Sequence, residues 1–343
     1  MQAATPTRPP RYHPITNLTY QSPAIVPQPR IIEWLSENPE AERRTLQAGL
    51  LENPAAIAPK YFYDALGCAL FAAICELPEY YPTRTERAIF DACRGEIGKV
   101  IGRGKQFVDL GAGDGRKARE WFPILAPSRY IAIDIAKAAM AQALAALSAE
   151  FSDVQMLGVV ADFTHGLNLQ QELGDTPVTF FYPGSSIGNF TPGDAREFLE
   201  DIHLHCLGRN GSGLLIGVDT KKDPRRLSAA YDDATGVTAA FNRNVLNHVN
   251  RILGTDFQPA AFTHRAFYNS QAGRVEMHLE AVLAQSVRLG NATRRFTAGE
   301  RIHTENSYKY APDEFTQLLQ QAGFARVRCW QDEQRDFAVF YAA

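Results

Sequence analysis

From Glu86 to Thr220 the sequence repeats one pattern: a short apolar run, a turn, then a stretch of helix formers. The runs are GKQFVDLG, RYIAIDIA, VQMLGVVADF, VTFFYPGSS and GSGLLIGVDT. Between them lie RKAREWFPIL, the Ala- and Leu-rich stretch from Lys137 to Glu150, and TPGDAREFLEDIHLHCL. The last of these carries its own start signal, with Thr191 as N-cap, Pro192 at the first helical position and acids in the first turn. Strands without a polar face have to be covered on both sides, so the pattern predicts a parallel sheet between helices. The chain ends differently. A helix over DEFTQLLQQAG precedes ARVRCWQD and DFAVFYAA, two strands around a polar turn at Asp332 to Arg335, which reads as an antiparallel hairpin.

A length of 343 residues suggests two domains. The net charge of −3 argues against a broad nucleic-acid binder, which needs a basic excess to neutralise phosphates. No apolar run reaches the ~20 residues that span a bilayer, so no membrane association is expected. The start, MQAATPTRPPRYHPITNLTYQSP, has prolines where a signal peptide needs an unbroken apolar stretch, so a cytoplasmic chain with a disordered tail over residues 1–20 is expected. The five cysteines are scattered and form no CxxC pair. The eight histidines show no ligand spacing; His203 and His205 alternate on a helix and point apart. No metal is expected.

The strand VDL runs into GAGDG, Gly111 to Gly115. Glycine suits a sharp strand-to-helix turn whose backbone meets a ligand with no Cβ in the way. A dinucleotide fingerprint would need glycine at 116, where Arg116 stands, which weakens an oxidoreductase reading with a nicotinamide. Acids close three successive strands: Asp109, Asp134 and Asp162. Ligands bind at carboxyl ends of parallel strands, and the second acid is spaced to accept ribose hydroxyl protons. Asp109, Gly111 and Gly113 give an acid-x-Gly-x-Gly pattern that resembles the loop binding S-adenosylmethionine (SAM). With the terminal hairpin, the order of elements resembles the α/β, Rossmann-like class I methyltransferase fold. Phe163 is placed to flank the adenine, and Lys117 to reach the methionyl carboxylate.

Between Asp219 and Lys309 the strand–helix rhythm stops. LSAAYDDATGVTAAFNRNVLNHVNRIL reads as helical, and AFYNSQAGRVEMHLEAVLAQSVRL as paired strands around a glycine turn. Residues 21–83 and 220–308 are therefore expected to form an inserted α+β, substrate-binding domain. Residues 84–219 and 309–343 would form the cofactor-binding domain.

The words FYDALG, ELPEYYPTRTE, GSSIGN, AYDDATGVTAAFNRNVL, VEMHL and HTENSYK together resemble the L-histidine Nα-methyltransferase family, from about residue 22 onward. That resemblance implies trimethylation of the α-amino group of L-histidine to hercynine, the first step of ergothioneine biosynthesis. It implies SAM contacts at Gly111, Lys117, Asp134, Asp162 and Phe163. It places Tyr80 in the histidine pocket, with Asn189 and Tyr231 on the α-carboxylate and Glu305 and Ser307 on the imidazole. Tyr63 and Phe71 would lie near the amine and ring, Met277 would wall the ring slot, and the Gly184 carbonyl would face the amine. The family's Gly-Gly-Thr word is Gly184-Ser185-Ser186 here, which sets a hydroxyl beside the amine.

The residues agree with that assignment on their own terms. Glu305 and Ser307 are two apart, so on a strand both face one way. A neutral imidazole has one donor and one acceptor nitrogen, which suits a carboxylate and a hydroxyl. No dedicated base stands out; Tyr63 could position the amine. A monomer is expected. The alternatives are a methyltransferase acting on tryptophan or tyrosine, and a SAM-binding protein without turnover.

Overall fold

The computed structural model describes residues 29–34 and 39–343. The tail expected over residues 1–20 lies outside them. Two sheets organise the chain. The larger contains β1 (Arg30–Glu33), β3 (Gln106–Leu110), β4 (Arg129–Asp134), β5 (Gln155–Val160), β6 (Val178–Tyr182), β7 (Gly213–Asp219), β13 (Val327–Gln331) and β14 (Phe337–Ala342). The smaller contains β2 (Ala55–Ala56), β8 (Phe262–Asn269), β9 (Arg274–Ala281) and β12 (Arg301–Tyr308). A separate hairpin joins β10 (Gln285–Leu289) to β11 (Ala292–Phe296).

The large sheet runs β1-β5-β4-β3-β6-β7-β14-β13. Neighbours from β1 to β7 are parallel; β14 lies antiparallel between β7 and β13, as the terminal pattern predicts. Excluding β1, this is the class I methyltransferase order, with the chain reversing direction across the sheet between β3 and β6. The strands read as apolar throughout because alternate residues feed separate cores. Val108, Leu110, Ile131 and Ile133 enter one cluster, while Phe107, Tyr130 and Ala132 enter the other.

The expected start of the inserted unit needs correction. β1 belongs to the large sheet, pairing Arg30–Glu33 with Leu157–Val160. It covers what would be an exposed sheet edge, and its Ile31 and Ile32 pack on opposite faces. Two helices also divide. RKAREWFPIL forms Arg116–Arg119 and Phe122–Leu125, because Pro123 has no N–H to donate to Arg119. The long stretch from Leu227 divides into Pro224–Ala229 and Val237–Leu253 around a turn. Asp233 accepts from Val237 N and Thr238 N and so starts the second helix.

In the small sheet β12 is central, parallel to β2 and antiparallel to β9. Its inner face packs with the helices Pro39–Leu51, Ala65–Cys75 and Val237–Leu253 around Leu50, Phe62, Phe241, Leu279 and Ile302. Among the described residues no helix is long and apolar enough to cross a membrane, and no His, Cys, Asp and Glu group could hold a metal ion.

Candidate active site

The carboxyl ends of β3, β4 and β5 form one half of the site. Gly111, Gly113 and Gly115 have φ of 73°, 54° and 69°, a region that L side chains resist. Asp134 shapes the turn: its carboxylate accepts from Gly113 N at 2.7 Å and from Ala136 N at 2.7 Å. A Cβ on Gly113 would meet no atom within 4 Å, so the loop has an open face that only a side chain would fill. Phe163 reaches 4.0 Å from where a Cβ on Gly111 would sit. Asp162 accepts from the Thr164 hydroxyl and N–H and from Lys60 Nζ at 3.0 Å. Burial works to raise its carboxyl, but those bonds hold it below the ordinary value. Two carboxylates at adjacent strand ends, an open backbone loop and a phenyl ring suit a ribose diol and a purine. The donor set therefore fits SAM.

Two of the expected cofactor contacts are engaged elsewhere. Asp109 is buried, and its carboxylate accepts from Tyr130 Oη at 2.8 Å. Burial pushes it up to about 7. It supports the glycine turn from inside the sheet rather than lining its open face. Lys117 donates to Glu86 at 2.6 Å, and the other oxygen of Glu86 accepts from Gly184 N at 2.7 Å. Glu86, 1% exposed, thus ties the cofactor loop's helix to the turn that follows β6.

β12 forms the facing half. A register shift between His303 and Glu305 sets Glu305 opposite Met277. Glu305 and Ser307 then share one face with it. This strand lies tight against the turn Ser186–Asn189: a Cβ on Gly188 would sit 2.8 Å from Tyr308 O and 3.4 Å from Ser307 Oγ. Only glycine permits that approach. The Asn189 amide, its nitrogen toward β12, donates to Glu305 Oε1 at 3.2 Å and to Asn306 O at 3.0 Å. Tyr231 Oη lies 2.7 Å from Ser307 Oγ. Burial pushes the Glu305 carboxyl up to about 7, against the opposing pull of Lys309.

A chain of rings closes the space. Tyr63 meets Phe71 edge-on with centroids 5.9 Å apart, Phe71 meets Tyr80 at 6.3 Å, and Tyr80 meets Tyr231 at 6.2 Å. Phe241 lies 6.1 Å from both Tyr63 and Phe71. Burial, then the carboxylates of Glu305 and Asp134, hold the Tyr63 phenol well above its ordinary value. Tyr63 is thus the ring that feels both halves of the site. A cleft of about 520 Å³, with Tyr63, Lys60, Ile135 and His248 on its walls, opens beside it.

Ser185 keeps its hydroxyl away from the space expected for an amine. It adopts φ of 61°, and its Oγ accepts from Asp219 N at 2.8 Å. Asp219 itself was not anticipated, nor were Glu86, Lys309 and Phe241. Asp219 ends β7 and obeys the same strand-end rule that singles out Asp109, Asp134 and Asp162. Glu86 could be found as an acid on the buried side of the helix Tyr81–Ile101, between Pro82 and Ile89.

Replacing Asp134 with alanine removes the strap on Gly113 and the carboxylate expected to meet the ribose. SAM affinity measured by titration calorimetry should fall by about one to two orders of magnitude, the size of a lost charged hydrogen bond. Unchanged affinity would exclude Asp134 from the cofactor site.

The model of the family described as "Histidine-specific methyltransferase, SAM-dependent" matches residues 42–343. The histidine N-alpha-methyltransferase of Mycolicibacterium smegmatis is 41% identical over 309 residues, covering 88% of this chain and 95% of that protein. The enzyme of the same name from Mycobacterium tuberculosis is 40% identical with the same coverage. Ergothioneine biosynthesis protein 1 of Neurospora crassa is 29% identical, covering 81% of this chain and 32% of that longer protein. With its strand order, glycine loop and matched span, this chain belongs to the histidine-specific, SAM-dependent methyltransferase family.

Proposed function

We propose that this chain methylates the α-nitrogen of L-histidine three times, giving hercynine, and so opens ergothioneine biosynthesis. The observation that carries the reading is Glu305 and Ser307 side by side on β12, with Asn189 and Tyr231 in hydrogen-bond contact with them. These groups face the carboxyl ends of the methyltransferase strands. A carboxylate next to a hydroxyl matches the donor and acceptor nitrogens of a neutral imidazole. Asn189 and Tyr231, which touch that pair, stand where the family resemblance sets the residues for an α-carboxylate. Gly111, Gly113, Asp134, Asp162 and Phe163 would hold SAM, which when bound supplies an electrophilic methyl on a sulfonium.

The protein's own part is positioning and exclusion of water. An α-ammonium has a pKa of ~8 and must lose its proton before it can attack. Tyr63 cannot take that proton at neutral pH, because burial and two carboxylates keep its phenol protonated. It can hold the amine as a donor or through its ring face. The rings of Tyr63, Phe71, Tyr80 and Phe241 keep water from the amine, which lowers its pKa toward the neutral form, and their faces suit the quaternary ammonium of the product. The rate then comes from holding two reactants at close range in one orientation. Gly184, Ser185 and Ser186 are small, which leaves room for an amine that gains methyl groups.

A mass-spectrometric time course with histidine and SAM tests the reading. Mono-, di- and trimethylhistidine should appear in turn, with one S-adenosylhomocysteine for each methyl. Turnover of tryptophan or tyrosine in preference to histidine would reject the acceptor assignment. SAM binding with no product would reject the enzymatic one.

A further inference from the structure

Lys309 is the first residue after β12, and its side chain is wholly buried. Nζ lies 2.8 Å from Asp219 Oδ2, 2.7 Å from Ser307 Oγ and 3.0 Å from Tyr231 Oη. An ammonium has three N–H bonds and no lone pair, so it donates in all three contacts. Burial alone would strip its charge, yet the Asp219 carboxylate holds its pKa above the ordinary value. Asp219 is fixed in turn by Lys222 and by Tyr81 Oη at 2.7 Å.

This arrangement constrains the two hydroxyls. Ser307 Oγ and Tyr231 Oη each accept from Lys309, and lie 2.7 Å from each other. One of them must donate to the other. Each oxygen carries a single proton, so the lone pairs turn toward the lysine and the pair has one proton left to offer outward. Glu305, on the same face of β12, can only accept when ionised. We propose that Lys309 is a positioning residue that sets the polarity of the Ser307–Tyr231 pair, so that the pocket offers a donor opposite an acceptor and selects a ring carrying both an N–H and a bare nitrogen. A pyrrole or indole ring has the N–H alone and would leave the hydroxyl proton unmatched. The proposal rests on the reading that Ser307 and Tyr231 face the substrate.

The test compares kcat/KM for histidine with that for β-(2-pyrrolyl)alanine, which keeps the ring size and the N–H but lacks the acceptor. It uses the full-length protein, Lys309→Met and Ser307→Ala. Both substitutions should lower the histidine preference about tenfold, the worth of one hydrogen bond to a polar partner. In Lys309→Met the change should come from the KM for histidine, with kcat little altered. If Lys309→Met does not fold, the double variant Lys309→Met with Asp219→Asn, which removes both charges, takes its place. A lysine that only held the fold together would reduce turnover of both amino acids alike, and an unchanged ratio in Lys309→Met would overturn the proposal. An unchanged ratio in Ser307→Ala would instead show that the hydroxyl does not meet the ring, and the site reading would fall with the proposal.

Discussion

Replacing Glu305 with alanine raises the KM for histidine by roughly one to two orders of magnitude, the cost of losing a charge-assisted hydrogen bond. SAM affinity should stay unchanged, because Glu305 belongs to β12 and the cofactor loop to β3 and β4. The size of the effect follows from burial. The carboxylate is partly buried on β12 and accepts from the Asn189 amide, so water replaces the contact it makes only in part. Burial also supplies a pH signature. Burial pushes the carboxyl up to about 7, so its accepting form should appear as the pH rises through that value. The acid limb of kcat/KM should therefore carry a group near 7 that is missing in Glu305→Gln. Comparing the two profiles removes the titration of free histidine itself. The same shift has a stability sign. Its folded pKa lies above the ordinary carboxylate value of 4.5, so ionisation costs stability as the pH climbs from 4.5 to about 7. Glu305→Gln should then melt higher than the native protein at pH ~8 while binding histidine poorly. An equal KM in Glu305→Ala would take the residue out of the site.

The second large effect is on folding. Asp219→Asn leaves the Lys309 and Lys222 ammoniums buried near one another without their carboxylate. Breaking a buried pair by removing one partner costs about 3–5 kcal/mol, and the urea midpoint should fall accordingly. Adding Lys309→Met to that variant removes one of the two stranded charges and should recover part of the loss, because the residues act as one unit. The native aspartate also fixes a pH window. Burial works to raise its pKa, but the two ammoniums hold it below the ordinary 3.8. Its stabilising contribution is therefore complete above about pH 4 and drains away as the pH falls through the depressed folded value. Asp219→Asn should flatten that part of the acid-unfolding curve. A variant as stable as the native chain, with the same acid limb, would show that the buried carboxylate does not hold the two lysines.

The large sheet was legible in the sequence because its strands have no polar face and its helices carry their caps. VDL-GAGDG, YIAID and LLIGVD announce both the strand and the end at which chemistry collects. β1 was not legible: four residues, RIIE, carry too little pattern to separate an edge strand from a loop. The candidate acceptor residues were named through the family resemblance, since Tyr63, Asn189 and Glu305 are far apart in the chain and no periodicity joins them. What remained hidden was the second layer. Lys309 looks like a surface cation, and Asp219 like one more strand-end acid, until β12 and β7 are brought side by side by the bridge between Thr220 and Tyr310. Glu86 was overlooked because it stands within a word read for its aromatics.

The interleaving of the two sheets has a consequence for synthesis. Tyr63 and Tyr80 leave the ribosome early, whereas Glu305 and Ser307 come from β12, the central strand of the small sheet, and β14 fills a gap in the large one later still. A nascent chain halted before residue 301 would have the glycine turn, its carboxylates and the ring residues, but neither Glu305 nor Ser307. The imidazole-matching pair therefore arrives only with the final eighth or so of translation, and an interrupted product lacks it.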